Sequence, residues 1–206
     1  MTNSILQSNA MLVSLNISCC GFVRKDNKVT DQVNRDHAAT SNAGKYDKNL
    51  LDPKDTDGPQ RQARAARTTH ERLTLPWGNG NQRLLPVANY ENYLQAMEQH
   101  KRAFEDSVSA LTVRLPDLIE RRREQLNGMF RESDYAFIDG IEDRYSFKRL
   151  VLPVPVGGNF IADLVDSEIE AIKADIEDSN KALLDSAMQD SFSKLHKAVK
   201  HIADCL

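Results

Sequence analysis

The chain has 206 residues, of which 40% are hydrophobic, 28% charged and 6% aromatic. This composition is typical of a globular protein with long surface helices, sized for one domain or a small domain with an appendage. The net charge of −3 is divided unevenly, with +4 over residues 1–88 and −7 over residues 89–206. A basic front half would suit nucleic acid and an acidic back half self-association, while ordinary solvated surface explains the division without a ligand.

The cysteines and the first residues indicate the compartment. Cys19, Cys20 and Cys205 are an odd number with an adjacent pair, which is a poor disulfide framework and favours a reducing cytoplasm. The first 23 residues carry no charge, but nine of them are Ser, Thr, Asn or Gln, which does not match a signal peptide. No stretch approaches the ~18 apolar residues of a membrane span. We therefore expect a cytoplasmic protein that has no membrane partner.

The N-terminal part is expected to be a flexible tail over residues 1–10 followed by a small α/β region over residues 11–88. In "LVSLNISCC" apolar and polar residues alternate, which predicts a half-buried strand with Cys19 as a core thiol. "KVTDQVNRDHAATSN" has Val29, Val33 and His37 at a spacing of four, which predicts a short amphipathic helix. The prolines, glycine and aspartates of "LLDPKDTDGP" predict an exposed linker.

A basic helix and a β-hairpin are predicted next. "QRQARAARTTHER" contains good helix formers. After it, Leu73, Leu75 and Trp77 alternate along the chain, "GNGN" supplies a four-residue loop, and Leu84 can lie opposite Leu75. The same glycines could instead cradle a phosphate, but that needs a helix starting at the glycines with Lys, Ser or Thr in place. The turn is therefore favoured.

A long helix is predicted from Asn89. Its apolar residues recur at spacings of three, four and seven, which is typical of a heptad stripe, and the members at its centre are Met97, Phe104, Val108, Leu111, Leu115 and Leu118. Pro116 predicts a kink or a restart in this helix. Gly128 marks its expected end.

A strand-like connection and a second long helix complete the chain. "YSFKRLVLPVPVGGNF" suits a short strand near residues 147–156, which Pro153 and Pro155 restrict to a sheet edge. The second helix is predicted from Asp166 onward, with a later apolar stripe that includes Met188, Phe192, Leu195 and Val199. The prediction is a mainly α fold with a small β part (α+β), in which residues 89–206 form a long antiparallel helical hairpin or coiled coil.

Motifs that carry chemistry are scarce. His196 and His201 are five residues apart and do not share one helix face, so no metal site is predicted. The sequence has no Gly-x-Ser-x-Gly motif and no lysine after a glycine-rich loop. Its acidic pairs lie on long polar helices, where solvated surface explains them. The chain is therefore predicted to have no catalytic residues, no metal and no cofactor.

Basic residues provide the one candidate ligand site. Four arginines could contact a nucleic-acid backbone, with Trp77 available for stacking on a base, and they are Arg61, Arg64, Arg67 and Arg72. The alternative explanation of these arginines is solvent exposure or pairing with the acidic C-terminal helix. The triplet in "ERRREQ" is bracketed by Glu120 and Glu124, which is typical of a charged helix face.

Several segments resemble a family found in bacteria and tailed phages and known only as a domain of unknown function. They are "LNISC", "ARAARTTHERLTLPWGNGNQRLLPVANYENYLQAM" and "LVLPVP", and the resemblance runs from Met11 onward. Members are similar to proteins encoded beside MoxR-type AAA+ ATPases and von Willebrand A-domain proteins. The resemblance implies a phage or mobile-element origin, the host bacterial cytoplasm as compartment and an ATPase-associated role. It supplies no site residues.

Two functions follow from these patterns. The first is a non-enzymatic adaptor, homo-oligomeric or bound to a protein such as an AAA+ ATPase, which uses the two stripes as its interaction surface. The second is a DNA- or RNA-binding protein of phage replication or recombination. Inhibition of a host defence protein is compatible with either.

Overall fold

The computed structural model describes Leu6 and residues 8–78, 80–156 and 166–205. The fold is mainly helical with a small antiparallel sheet, as predicted. Its helices are α1 (Asn27–Asp36), α2 (Pro53–Leu73), α3 (Tyr90–Leu126) and α4 (Asp166–Asp204). Its strands are β1 (Ala10–Ser18), β2 (Val23–Lys25), β3 (Asp47–Asn49), β4 (Leu75–Pro76), β5 (Gln82–Pro86) and β6 (Ser146–Pro153). Among the described helices, none has both the length and the apolar content to cross a membrane.

The chain divides into two compact units. The first unit comprises Met1–Asn16, Ala66–Gln99 and Lys148–Leu206, and the second comprises Ile17–Ala65 and His100–Phe147. The division therefore does not follow the predicted boundary at residue 88. Each unit combines segments distant in sequence, because its core is completed by residues from both halves of the chain.

The four-stranded sheet has the order β4-β5-β1-β6. The predicted hairpin is confirmed, with Leu75 opposite Leu84, although the connection between the strands is one residue longer than the predicted four. Gly78 in this connection has φ +64°, a left-handed backbone that glycine adopts without a Cβ clash. β6 is an edge strand that ends at Pro153, as predicted from its prolines.

β1 departs from the predicted alternation. Ser14 is as buried as Leu15, at 8% and 9% exposure. The four residues from Leu12 to Leu15 are buried in succession, so both faces of β1 are covered there. The buried thiol is Cys20, whereas Cys19 is half-buried, so the prediction of Cys19 as the core thiol was off by one residue. Leu6 and Ala10 are also buried, so packed structure begins inside the segment expected to be a tail. The rest of that segment through residue 7 lies outside the described residues.

Two local predictions in the second unit need correction. Helix α1 forms where expected, but it buries Thr30 and Asn34 while Val33 is 48% exposed. The buried polar groups are satisfied, since the Thr30 hydroxyl donates to the Asp26 carbonyl at 2.8 Å and accepts from the Tyr46 N–H at 3.0 Å. A helix can therefore bury a polar face once each group on that face has a partner.

The predicted linker at residues 50–59 is wrong. Leu50 and Leu51 are core residues, and α2 already begins at Pro53. The Asp52 carboxylate accepts the Lys54 N–H at 2.9 Å, which caps the helix, and proline suits a first helical position because no N–H is needed there. The Pro and Asp residues therefore mark a helix start.

Helix α3 supplies much of the second unit's core. The stripe from Phe104 to Leu118 packs into one cluster with residues of segments 17–65 and 130–147, among them Phe22, Leu51 and Tyr135. The helix continues through Pro116, so the predicted restart does not occur. Leu115 and Leu118 on either side are buried, and this packing offsets the backbone hydrogen bond that proline removes.

Candidate protein-interaction surface

Helix α4 carries a face of large apolar side chains that are exposed. We call this face the α4 seam, and its members are Met188 (47% exposed), Phe192 (65%), Leu195 (61%), Val199 (56%) and Ile202 (61%). Their spacings of four, three, four and three residues place them on one side of the helix. The residues between them are small, polar or charged. The seam extends over about 21 Å at 1.5 Å per residue.

The first half of α4 is anchored in the first unit. Leu183 and Leu184 pack against the cluster that contains Leu12, Trp77 and Val154. The Asn180 side chain is buried and donates to the Pro155 carbonyl at 2.7 Å. These contacts anchor α4 at residues 180–184, close to the middle of the helix.

The C-terminal part of α4, from Phe192 onward, is exposed on all sides. Ala187 is fully buried, but every described residue from Phe192 to Cys205 is exposed. A helical segment of this length is marginal in water without tertiary packing. The seam therefore begins where contact with the body of its own unit ends, which is the arrangement expected of a segment that packs on a partner.

The two predicted stripes differ in burial. The six α3 residues from Met97 to Leu118 are all buried, so they are core and are not accessible to a partner. The four α4 residues from Met188 to Val199 are exposed. Of the interaction surface predicted from sequence, only the four α4 residues are accessible to a partner.

Smaller exposed apolar groups occur elsewhere. The edge strand β6 exposes Leu150 (51%), Val151 (38%) and Leu152 (37%). Val113 is 80% exposed on α3. Single exposed apolar residues are common on protein surfaces, whereas five in a helical row are not.

The predicted nucleic-acid residues are only partly available. Arg61, Arg64, Arg67 and Arg72 are all exposed on α2, and Arg64 is held by Asp57 at 2.8 Å. Trp77 is only 6% exposed and belongs to the core of the first unit. It cannot stack on a base in this fold, so its proposed binding role is wrong. The reason is that the β-hairpin turns its indole inward, against the apolar side chains of β1 and α4.

His70, which follows the arginines, is buried as well. Its Nδ1 atom lies 2.9 Å from the Tyr93 hydroxyl. Burial, aided by the positive charge of Arg83, lowers the pKa of His70 to about 4. Arg83 itself donates to the Thr74 hydroxyl at 2.7 Å and to the Thr74 carbonyl at 3.1 Å. These contacts close the C-terminal end of α2, so this polar group has a structural role.

A second buried polar cluster was not found from sequence. The Lys48 side chain is 2% exposed, and its ammonium group lies 2.5 Å from an Asp134 oxygen and 3.6 Å from an Asp26 oxygen. It also donates to the Met129 carbonyl at 2.9 Å. Asp26 in turn caps α1 by accepting the N–H groups of Lys28 and Val29. The three polar residues of "DKN" gave no sign of a buried lysine, because the partners of Lys48 lie in distant segments.

The pKa of Asp26 is lowered by its neighbours in this cluster. Burial by itself raises the pKa of the Asp26 carboxyl, but the hydrogen bond from Val29 and the positive charges of Arg131 and Lys48 outweigh that effect and lower it. The carboxylate is therefore ionised and paired. This closed network of ion pairs fixes local structure; within it, Asp26 Oδ2 makes no hydrogen bond and faces the Lys48 ammonium group at 3.6 Å.

The clefts of the second unit are modest. One of about 460 Å³ is lined mainly by apolar groups that include Ile119, Phe130 and Ile138. A second of about 210 Å³ lies beside Phe104, Glu105 and Tyr145. In the described part of the chain, no three His, Cys, Asp or Glu side chains are grouped as metal ligands.

Comparison with known proteins adds no relative. No protein-family profile, curated protein or solved structure matches this chain.

Proposed function

We propose that this protein is a non-enzymatic interaction module that binds a protein partner through the α4 seam. One observation carries the proposal: five large apolar side chains in a helical row are 47–65% exposed on a helix whose other half is anchored. Exposing such a row to water is unfavourable by roughly 25 cal/mol for each Å² of apolar surface. A partner helix or groove removes this cost on binding.

The setting of this activity is proposed from the family resemblance. In a phage or mobile-element adaptor, the first unit would hold α4 in place and the exposed α4 seam would contact a second protein. An AAA+ ATPase complex is the proposed class of larger assembly. The host cytoplasm is the proposed compartment.

The test compares two variants on the same helical turn. Phe192→Asp places a charge in the seam, whereas Ser193→Asp adds the same charge on the outward side of α4, where the residue is also exposed. Both should leave the fold intact, which circular dichroism checks. Each tagged protein is then used to retain partners, after nuclease treatment, from cells that encode the chain.

The expected result is a protein partner retained by the wild type and by Ser193→Asp and lost by Phe192→Asp. A partner that all three retain equally would show that the seam is not the interface. Absence of any retained protein would contradict the adaptor function.

Nucleic-acid binding is the second candidate function, supported by the exposed arginines of α2. Arg61, Arg64 and Arg72 lie on the side of the helix opposite the buried Ala63 and Ala66. A triple alanine variant should bind DNA more weakly and with a shallower salt dependence. If the unmodified protein does not retard single- or double-stranded DNA at low salt, this candidate is eliminated.

A further inference from the structure

We infer that the α4 seam pairs with the seam of a second copy of this chain, in an antiparallel two-stranded coiled coil. This inference rests on the proposed function of the seam and names its partner. Three properties of the described residues support it: the spacing of the seam, the side chains beside it and the sizes of its members.

Four members of the seam are symmetrically spaced. Phe192, Leu195, Val199 and Ile202 follow one another at three, four and three residues, which reads the same in either direction. If two antiparallel copies are aligned about Lys197, Phe192 faces Ile202 of the second copy and Leu195 faces Val199 of the second copy. All four residues then have an apolar partner, and the two-fold axis makes each contact occur twice.

Side-chain size favours this orientation over a parallel one. In the antiparallel register each layer joins a larger and a smaller residue, Phe with Ile and Leu with Val, so the layers have similar volume. In a parallel register Phe192 would face itself and Val199 would face itself, which gives one crowded layer and one loose layer. Even filling of successive layers is what close packing requires.

The positions beside the seam fit a second copy. In a coiled coil the residues that flank the apolar row are the ones that approach the other helix. Here none of the flanking residues carries a carboxylate, ammonium or guanidinium group, and they are Gln189, Ser191, His196, Ala198, Ala203 and Cys205. Two identical helices can therefore approach without repulsion between like charges. A partner selected by charge would instead find no complementary groups here.

The fixed charges of this segment point away from the seam. Asp190, Lys194, Lys197, Lys200 and Asp204 all fall on the outer side of the helix in this register. Lys194 pairs with Asp190 of its own helix at 2.6 Å. The contact in this register does not cover these groups, so pairing does not require their further desolvation.

The size of the contact indicates a weak dimer. In this register the four paired apolar side chains of each copy bury an area on the order of 1,000 Å², near the lower limit for a specific interface. We expect the dimer to form at micromolar concentrations and to dissociate on dilution. Phe192→Asp should weaken it by about tenfold or more, as expected for an aromatic residue within the contact, and Ser193→Asp should leave it unchanged.

The first test is sedimentation of the full chain over the micromolar range. A reversible increase in mass from one copy to two, lost in Phe192→Asp and kept in Ser193→Asp, is the expected result. A wild type that stays monomeric throughout overturns the pairing. Retention of a different protein through the seam would then still support the proposed function, so the two failures are distinguishable.

The second test determines orientation by disulfide formation in a Cys205→Ser background. Phe192→Cys and Ile202→Cys are oxidised separately and as a mixture, because only cysteines with Cα atoms within about 7 Å form a bridge. The antiparallel register predicts a covalent dimer in the mixture and little in either variant alone. A covalent dimer of Ile202→Cys alone would establish the parallel register instead. Ser193→Cys mixed with Ile202→Cys measures random collision, and an equal yield there would overturn the inference.

Discussion

His70 and Tyr93 form a buried hydrogen-bonded pair, with 2.9 Å between Nδ1 and the hydroxyl oxygen. Burial lowers the pKa of His70 to about 4 and raises that of Tyr93 to about 12. Both side chains are therefore neutral across the physiological range. The pair joins the end of α2 to the start of α3 within the first unit.

This pair should make the stability of the protein depend on pH. The unfolded chain takes up a proton on His70 near pH 6.5 and the folded chain only near pH 4, so the stabilisation is complete above pH 6.5 and is lost as the pH falls toward 4. The free energy of unfolding should fall by about 2 kcal/mol from this residue between pH 7 and pH 5. Urea titrations at the two pH values measure it.

Two variants isolate the contribution of the imidazole. His70→Gln should remove most of that pH dependence. Tyr93→Phe should retain it, while losing about 1–2 kcal/mol at pH 7 because a buried hydrogen bond is removed. Equal pH dependence in wild type and His70→Gln would show that other groups titrate.

The lysine of β3 should be important for stability. Lys48→Met leaves Asp134 and Asp26 buried without their ammonium partner and should lower the free energy of unfolding by about 3–5 kcal/mol. Lys45→Met is the matched control, because Lys45 is 71% exposed and pairs with Asp47 at the surface, where such a pair contributes less than about 1 kcal/mol. Similar losses in the two variants, measured by urea unfolding at pH 7, would contradict the closed network.

Trp77 is the only tryptophan of the chain, so its fluorescence reports directly on the core of the first unit. Its burial at 6% exposure predicts blue-shifted emission and little quenching by iodide. Addition of an oligothymidine should not change the emission, because stacking needs an exposed ring. Strong quenching by the oligonucleotide in the folded protein would reinstate Trp77 as a nucleic-acid contact.

The cysteines should differ in reactivity. Cys205 is exposed and Cys20 is buried, and burial raises the pKa of the Cys20 thiol despite the smaller opposing effect of Arg144. At about pH 8, a thiol reagent should modify Cys205 rapidly and Cys20 only when the chain unfolds. Cys205→Ser should remove the rapid phase, which mass spectrometry of the labelled peptides follows. Rapid labelling of Cys20 in the native protein would show that its site opens readily.

Local patterns predicted several elements well. The bounds of α4, the hairpin with Leu75 opposite Leu84 and the edge position of β6 all follow from residue type and period. Each depends on near neighbours along the chain. The apolar row of α3 was located correctly, but its prediction as an interaction surface was wrong, since its residues are buried. The period of a row cannot say whether its partner lies in the same chain.

Other features depended on distant segments. The buried side of α1 carries Thr30 and Asn34, whereas Val33 is exposed. Thr30 can be buried because its hydroxyl hydrogen-bonds to the backbone of Asp26 and Tyr46. Lys48 can be buried because it pairs with Asp134, which is 86 residues away in sequence. The linker prediction for residues 50–59 failed for a similar reason. Prolines and aspartates are common in exposed loops, but they are also common at the start of a helix. Here they begin α2, and Leu50 and Leu51 just before it are core residues.

The amino-acid order alone determined where the long helices and the β-hairpin form, since backbone preference and apolar period act over a few residues. Only the tertiary structure decided which apolar rows are covered: the α3 row is enclosed by segments from both halves of the chain, while every described residue of α4 from Phe192 onward is exposed. Burial is a property of the space around a side chain. Two rows with nearly the same period can therefore end as a core and as an exposed seam.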